Sequence, residues 1–227
     1  GLSVAFLTES FQVASQVLGL QAGYGYATTI DPNSQADAGM LQVITALVKR
    51  RIGVPQLAVI DGSPGLAEAL QEQWKKIGIQ RCTNHKLWNL QAKAPARLRE
   101  ELSEDYRRMI YADSVDAVAK QREKFQKKWK LKCAAVITSL EEAGDDLFTF
   151  THFPPSQWKA LRTTNAIERI NEEFRRRTKT QASLPNEAAV VLLMYGLLCS
   201  GQIRLRRMAG WKDLPSTTRS VVTAEAA

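Results

Sequence analysis

The sequence has few of the residues and patterns that mark several common classes of protein. It has only three cysteines, Cys82, Cys133 and Cys199, widely spaced along 227 residues. An odd, scattered set of this kind does not predict a disulfide framework and favours a reducing cytoplasm. No apolar run approaches the roughly 20 residues of a membrane span. The opening letters GLSVAFLTES lack the charged start of a signal peptide, so we expect none there.

Several catalytic motifs are also missing from the sequence. There is no G-x-S-x-G elbow, and two histidines leave little choice of base, so a serine or cysteine hydrolase is disfavoured. No glycine-rich loop of the P-loop or dinucleotide-binding type occurs. Cys82 and His85 have the C-x2-H spacing of half a zinc site, but Cys133, Cys199 and His152 form no second pair to complete it.

Positive charge, by contrast, is abundant. The formal net charge is +8, and the isoelectric point is about 9.5. This balance favours an acidic partner, either nucleic acid or an anionic membrane. The hydrophobic fraction of 44% is sufficient for a core, and the length suits one large domain or a core with an insertion.

The apolar pattern predicts an α/β fold with a central sheet. Short runs in residues 1–30, such as VAFL, predict two or three strands, and residues 35–51 predict a helix. The wholly apolar run 57–60 is typical of a strand buried on both faces. Ser63 and Pro64 then mark the start of a helix. We expect the buried stripe of that helix to comprise Leu66, Ala69, Leu70 and Trp74.

The rest of the chain is predicted to be mainly helical. Residues 79–82 favour one more strand, and helical periods with dense charge follow from residue 84 to about 144. A loop at 152–158 and helices at 165–179 and 185–199 complete the pattern. We therefore predict a catalytic or binding core in residues 1–90 and 156–214, a helical insertion in 91–155 and a flexible tail in 215–227.

Two acids are the candidate functional residues. Asp61 follows the predicted buried strand, and in open α/β sheets ligands bind at that edge. The alternative interpretation is that Asp61 and Gly62 simply begin a turn. Glu168 lies among arginines on the predicted helix that starts at residue 165. It shares a helix face with Asn171 and Arg175. There its carboxylate could complete a cation site with Asp61. Its other interpretation is a capping box in which Asn165 is the N-cap.

The basic residues around Glu168 form a further candidate site. They could bind the phosphates of a nucleic acid, or they could be a solvated helix face. The residues concerned are Arg162, Arg169, Arg175, Arg176, Arg177 and Lys179. The five tryptophans are mostly core candidates, but Trp158 is predicted to lie in a loop near this helix, where it could stack on a base.

Three segments together resemble a known family. They are VIDGSPGLAEAL at 59–70, QRCTNHKLWNL at 80–90 and RTTNAIERINEEFRRR at 162–177. In this order they resemble the Mutator-type transposases of bacterial insertion sequences, and the closing GQIRLRRMAGWKDL is similar to that family's carboxyl end. The resemblance covers about residues 17–214.

The resemblance implies a ribonuclease-H-like fold with a helical insertion before the last catalytic acid. It implies a DDE site of two aspartates and one glutamate that binds two divalent ions, Mg²⁺ or Mn²⁺. Asp61 matches the second aspartate and Glu168 the glutamate, while Cys82 and His85 match a C-x2-H motif near the site. His85 and Asn165 join the basic residues as predicted DNA contacts. A homo-oligomer acting on element ends and target DNA beside the bacterial nucleoid is also implied.

One feature departs from the family pattern. The family's first aspartate lies some tens of residues before the segment that here starts at Val17, and Glu9 is the only earlier acid. We therefore expect this ligand and the family's amino-terminal DNA-binding region to lie upstream of Gly1, and a chain without them to have weak metal binding and reduced catalysis. The alternatives are a catalytically dead DNA-binding remnant, a ribonuclease-H-like nuclease, or an α/β interaction protein with a basic face.

Overall fold

The computed structural model describes residues 4–7, 55–179, 187–203 and 209–213. Its strands are β1 (Val4–Leu7), β2 (Leu57–Ile60) and β3 (Gly78–Arg81). Its α-helices, in chain order, are α1 (Pro64–Gln73), α2 (Thr83–Lys93), α3 (Arg99–Ile110), α4 (Val115–Lys132), α5 (Ala134–Ala143), α6 (Trp158–Leu161), α7 (Asn165–Thr178) and α8 (Glu187–Cys199). Short 3₁₀ helices lie at Ala96–Leu98, Gly144–Leu147, Thr149–His152, Pro155–Gln157 and Trp211–Asp213.

The described residues form two compact units. The sheet unit comprises residues 4–7, 55–78, 164–179 and 187–203, and the helical unit comprises residues 79–163 and 209–213. In the sheet unit, β1 pairs with β2 in parallel, from Val4 opposite Leu57 to Leu7 opposite Ile60. The described part of the chain is therefore mostly helical with a small parallel sheet, which agrees with the predicted α/β class.

The core of the sheet unit follows the predicted pattern. Strand β2 is wholly buried, as a run of four apolar residues requires, and all four stripe residues predicted for α1 are buried. Phe174 of α7 is buried with Met194 and Leu197 of α8 and with Ile203, and Ile170 packs partly against them. The spacing of Ile170 and Phe174 therefore places one apolar face of α7 on this core.

In the helical unit, α2, α3, α4 and α5 pack on one another around large buried side chains. Helices α2 and α5 are in contact, and α4 lies against both α3 and α5. Trp129 of α4 is fully buried, and its indole nitrogen donates a hydrogen bond of 3.1 Å to Asp105 of α3. At the surface of the same seam, Lys128 and Lys132 hydrogen-bond to Glu101 and lower the pKa of its carboxyl to about 2. The prediction of helices between residues 84 and 144 is confirmed.

Other predictions are corrected or lie outside the described residues. The segment 152–158, predicted as a loop, contains a 3₁₀ turn at Pro155–Gln157 that leads directly into α6, because proline at a first helical position suits such a turn. VAFL is a strand as predicted, but the other strands of residues 1–30, the helix at 35–51 and the tail after 214 lie outside the described residues. The predicted domain boundaries stay predictions. Within the described ranges, no helix is both long enough and apolar enough to span a membrane.

Candidate active site

Asp61 lies where β2 ends and the chain turns into α1. The strand before it is fully buried, while Asp61 is half-buried with its Oδ1 shielded from solvent. Gly62 follows with a φ of 116°, a backbone region that favours glycine. Ser63 then takes the N-cap position and Pro64 the first helical position, as predicted. The sequence Asp-Gly-Ser-Pro therefore builds a tight strand-to-helix turn with a carboxylate at the edge of the sheet.

We expect Gly62→Ala to destabilise the chain by about 1–3 kcal/mol, because alanine must take a strained backbone conformation at this turn. The free energy of unfolding, measured in urea, checks this. Gly196→Ala is the matched control, since Gly196 lies within α8 and a Cβ added there meets nothing within 4 Å. That control is expected to be neutral or stabilising by up to about 1 kcal/mol. Equal stability of Gly62→Ala and wild type would show that the turn tolerates a side chain.

Glu168 lies in the first turn of α7, and its carboxylate is held by the residue that caps the helix. The N-cap residue is Thr164, which is fully buried, and its carbonyl accepts a 3.2 Å hydrogen bond from the Glu168 N–H. The Thr164 hydroxyl donates a 2.6 Å hydrogen bond to Oε1 of Glu168. Glu168 itself is half-buried. The threonine therefore fixes one orientation of the acid at the start of the helix.

This geometry corrects the predicted capping box. Asn165 is already the first helical residue, because the first hydrogen bond of the helix ends on the carbonyl of Thr164. The N-cap side chain makes no hydrogen bond to the backbone N–H groups of the helix. Glu168 is still in the first turn, where a negative charge interacts favourably with the helix dipole. This interaction with the helix dipole leaves the Glu168 carboxylate able to act as a metal ligand.

Both candidate acids belong to the sheet unit. Asp61 follows β2, β2 pairs with β1, and α7 lies against β1. Among the residues that the structure describes, no group of three or more His, Cys, Asp or Glu side chains is placed to hold a metal ion. The two carboxylates are oxygen donors, and Mg²⁺ usually takes one or two protein carboxylates together with waters and phosphates. The chemistry of this donor set therefore fits Mg²⁺ or Mn²⁺.

The basic side chains of α7 differ in their surroundings. Arg169, Arg175 and Lys179 are exposed, and no described residue forms an ion pair with them. Arg175 and Lys179 follow Glu168 by seven and eleven residues, which places them on the same face of the helix. Arg176 and Arg177 instead both pair with Glu173, and Arg177 also donates to the carbonyl of Gln202. Arg169, Arg175 and Lys179 are therefore the basic side chains best placed to contact a phosphate backbone.

Arg162 has a different environment from the one predicted. Its side chain is buried, with 9% of the residue exposed. Nη1 donates to the carbonyl of Ile110 at 2.7 Å, and Nε donates to that of Trp158 at 3.1 Å. The guanidinium carbon lies 4.3 Å from the ring centroid of Tyr111 and 5.5 Å from that of Phe150, and burial lowers the pKa of Arg162. This placement disagrees with the prediction that Arg162 binds a phosphate.

The segment QRCTNHK is anchored in the helical unit by contacts that sequence reasoning missed. Gln80 is buried, donates to the carbonyl of Leu147 at 2.9 Å and accepts from the N–H of Phe150 at 2.7 Å. Arg81 and the buried Lys86 bind the two oxygens of Glu142 at 3.0 and 2.5 Å. Burial lowers the pKa of Lys86, and this pairing opposes the effect. The residues around the Cys82–His85 motif therefore include structural contacts.

Cys82 and His85 lie at the start of α2. Cys82 is buried at the N-cap position, and the next residue, Thr83, donates its N–H to the carbonyl of Arg162 at 2.9 Å. The carbonyl of Thr83 accepts a 2.9 Å hydrogen bond from the hydroxyl of Tyr106. His85 is half-buried and lies in the first turn of the helix. The motif is thus held firmly, and a role for either side chain in binding metal or DNA stays a prediction.

Comparison with known proteins gives a consistent result. The family described as "Transposase, Mutator family" matches residues 16–203. The transposase for insertion sequence element IS905 from Lactococcus lactis is 32% identical over 76% of the chain and 43% of the relative. The transposases for IST2 from Acidithiobacillus ferrooxidans and for IS1081 from Mycobacterium tuberculosis are 27% and 28% identical, over 75% and 89% of the chain. The chain spans about half the length of these curated relatives, 58% and 50% of the latter two.

Proposed function

The chain belongs to the Mutator family of transposases, and on that premise we propose that it carries part of the catalytic region of a DDE enzyme that cuts and joins DNA. One observation supports this more than any other. Asp61 directly follows a buried parallel strand, and Glu168 lies in the first turn of a helix that packs against the neighbouring strand, within one compact unit. A ribonuclease-H-like fold, which places its acids at such an edge, is part of the proposal.

Asp61 and Glu168 are the residues proposed to hold Mg²⁺ or Mn²⁺. When bound, two such ions stabilise the attacking and leaving oxygens of an in-line displacement at phosphorus. The side chains act as ligands and do not themselves transfer protons. The Thr164 hydroxyl, 2.6 Å from Oε1, keeps the Glu168 carboxylate in one orientation, which favours a preorganised site. A third carboxylate, implied by the family resemblance, is not assigned to a described residue.

A strand-transfer assay tests the proposal. The 227-residue chain is incubated with supercoiled plasmid and a short donor duplex that ends in a 3′ hydroxyl, with Mg²⁺, with Mn²⁺ or with EDTA. Slow metal-dependent joining of donor to plasmid is the expected result, because the third carboxylate of the family pattern is not assigned to a described residue. Nicks without joining would indicate a nuclease, and salt-sensitive DNA binding with neither product would indicate a protein that only binds DNA. The implied homo-oligomer and cytoplasmic location depend on this proposal and stay predictions.

We expect the two exposed arginines of α7 and Lys179, which directly follows the helix, to bind DNA phosphates. Replacing Arg169, Arg175 and Lys179 together by glutamine should flatten the slope of log Kobs against log salt by roughly 2 to 3, because each lost phosphate contact removes about one released counterion. Fluorescence anisotropy with a labelled duplex between 50 and 200 mM salt measures the slope.

A matched control separates the effect of direct phosphate contacts on the salt slope from the effect of net charge. Lys120, Lys124 and Lys127 are exposed on α4, and replacing them by glutamine removes the same total charge. That control should change the slope much less than the α7 variant does. Equal slopes for the two triple variants would mean that the basic face of α7 is only a solvated surface.

A further inference from the structure

Trp88 is a large aromatic side chain that the fold leaves open to solvent. It lies on α2 and is 55% exposed, whereas Trp158 is 4% exposed, and the Trp158 indole donates to the carbonyl of Phe153. The ring of His85, one turn earlier on α2, meets the Trp88 ring edge to face, with centroids 4.9 Å apart and planes at 73°. The solvent-facing tryptophan is therefore supported from one side by a second ring.

The opposite side of α2 is fixed in the core of the helical unit. Leu87 and Leu90 are buried, and the buried Lys86 pairs with Glu142 at 2.5 Å. The N–H of Thr83 donates to the carbonyl of Arg162 at the start of the helix. Since these contacts prevent rotation of the helix, Trp88 is presented to solvent in one direction.

The neighbours of Trp88 on α2 indicate what kind of ligand suits it. The other exposed residues of this helix are polar or small, namely Asn89, Ala92 and Lys93. A protein interface normally offers several large apolar side chains around an aromatic anchor, and α2 offers only this one. A flat ring on a helix whose other exposed side chains are polar or small instead suits a nucleobase, whose π face can stack on it whatever the base.

We propose that Trp88, supported by His85, is a stacking platform for an unpaired base of bound DNA. The inference rests on the proposed function, because the DNA is the substrate proposed above. The net charge of +8 favours an anionic strand over a neutral aromatic ligand.

Two variants that differ in the aromatic ring give the sharpest test. Trp88→Leu keeps an apolar side chain without a π face, and Trp88→Phe keeps a ring. Binding is measured by anisotropy to a blunt duplex and to the same duplex with a short single-stranded overhang. Trp88→Leu should lose about tenfold in affinity for the overhang DNA, with little change for the blunt duplex. Trp88→Phe should keep most of the wild-type affinity for both.

Leu131→Ala is the control for loss of exposed apolar surface, since Leu131 is 90% exposed on α4 of the same unit, and it should bind both DNAs as wild type does. The inference is overturned if Trp88→Leu binds the overhang DNA normally, if it loses affinity equally for both DNAs, or if it changes only self-association. In each of these outcomes wild-type binding survives, so the proposed function stands. Failure of wild type to bind either DNA would instead overturn both.

Discussion

Asp61→Asn and Glu168→Gln should each lower metal-dependent DNA cleavage by roughly a thousandfold, because loss of a ligand removes several kcal/mol of transition-state stabilisation. DNA binding should stay near the wild-type level, since neither carboxylate contacts phosphate without a metal. The amides keep the size of each side chain. Nicking of supercoiled plasmid in Mg²⁺ or Mn²⁺ and anisotropy with a labelled duplex measure the two effects separately.

Binding of Mn²⁺ provides a readout that does not need turnover. A metal that binds only the folded chain stabilises it, and at a concentration 100 times its dissociation constant the wild-type Tm should rise by about 5 °C. This shift should be smaller in both variants. The 227-residue chain covers about half the length of its relatives. The Mn²⁺-induced shift in Tm can be measured even if this chain cleaves DNA slowly or not at all.

The controls are exposed acids close to the two candidate ligands in the sequence. Glu68→Gln lies on α1 and Glu172→Gln on α7, and both should behave as wild type in cleavage and in the Mn²⁺ shift. An undiminished Mn²⁺ shift in both Asp61→Asn and Glu168→Gln would remove the ligand assignment. A loss in Glu172→Gln equal to that in Glu168→Gln would indicate a general effect of negative charge on α7.

The parts of the site that could be predicted from the sequence are those set by local chemistry. Four consecutive apolar residues can be buried only in an element covered on both faces, so β2 and the place of Asp61 at its end were predictable. Ser63 followed by Pro64 marks a helix start because proline needs no hydrogen-bond partner there. The spacing of Ile170 and Phe174 puts both on one face of α7, and both pack in the core.

The parts that could not be predicted depend on contacts between residues distant in sequence. Trp158 was taken as a loop residue that could stack on a base, but its ring packs edge to face on Phe150 at 5.3 Å. Trp88 was taken for core, although Leu87 and Leu90 already occupy the buried side of α2. The sequence did contain a sign that Trp88 is exposed, because residues beside the buried stripe of a helix face solvent.

Arg162 is the clearest case of a functional prediction that tertiary structure changes. Arg162 stands within a basic segment of the sequence. The sequence cannot show that its guanidinium lies over the rings of Tyr111 and Phe150 and donates to the carbonyl of Ile110. The carbonyl of Ile110 lies at the end of α3, where helix carbonyls lack partners within the helix. Arg162 therefore caps one helix and, through its own carbonyl, fixes the start of another at Thr83.

Arg162→Ala should consequently lower the free energy of unfolding by about 3 kcal/mol, because two charge-assisted hydrogen bonds are lost and the buried carbonyl of Ile110 loses its Arg162 donor. Arg162→Lys should recover little, since an ammonium group cannot stack as a plane and donate in two directions. Urea unfolding measures both. The salt dependence of DNA binding, measured where each variant is folded, should keep the wild-type slope.

Arg169→Ala gives the opposite pattern and serves as the matched control. Arg169 is exposed on α7, so its loss should change stability by no more than about 0.5 kcal/mol while flattening the salt slope by about 1. If Arg162→Ala were as stable as wild type but bound DNA with the flatter slope, Arg162 would belong to the DNA-binding face after all. The pair of variants thus separates an arginine that holds the fold from one that binds DNA, within eight residues of the same basic segment.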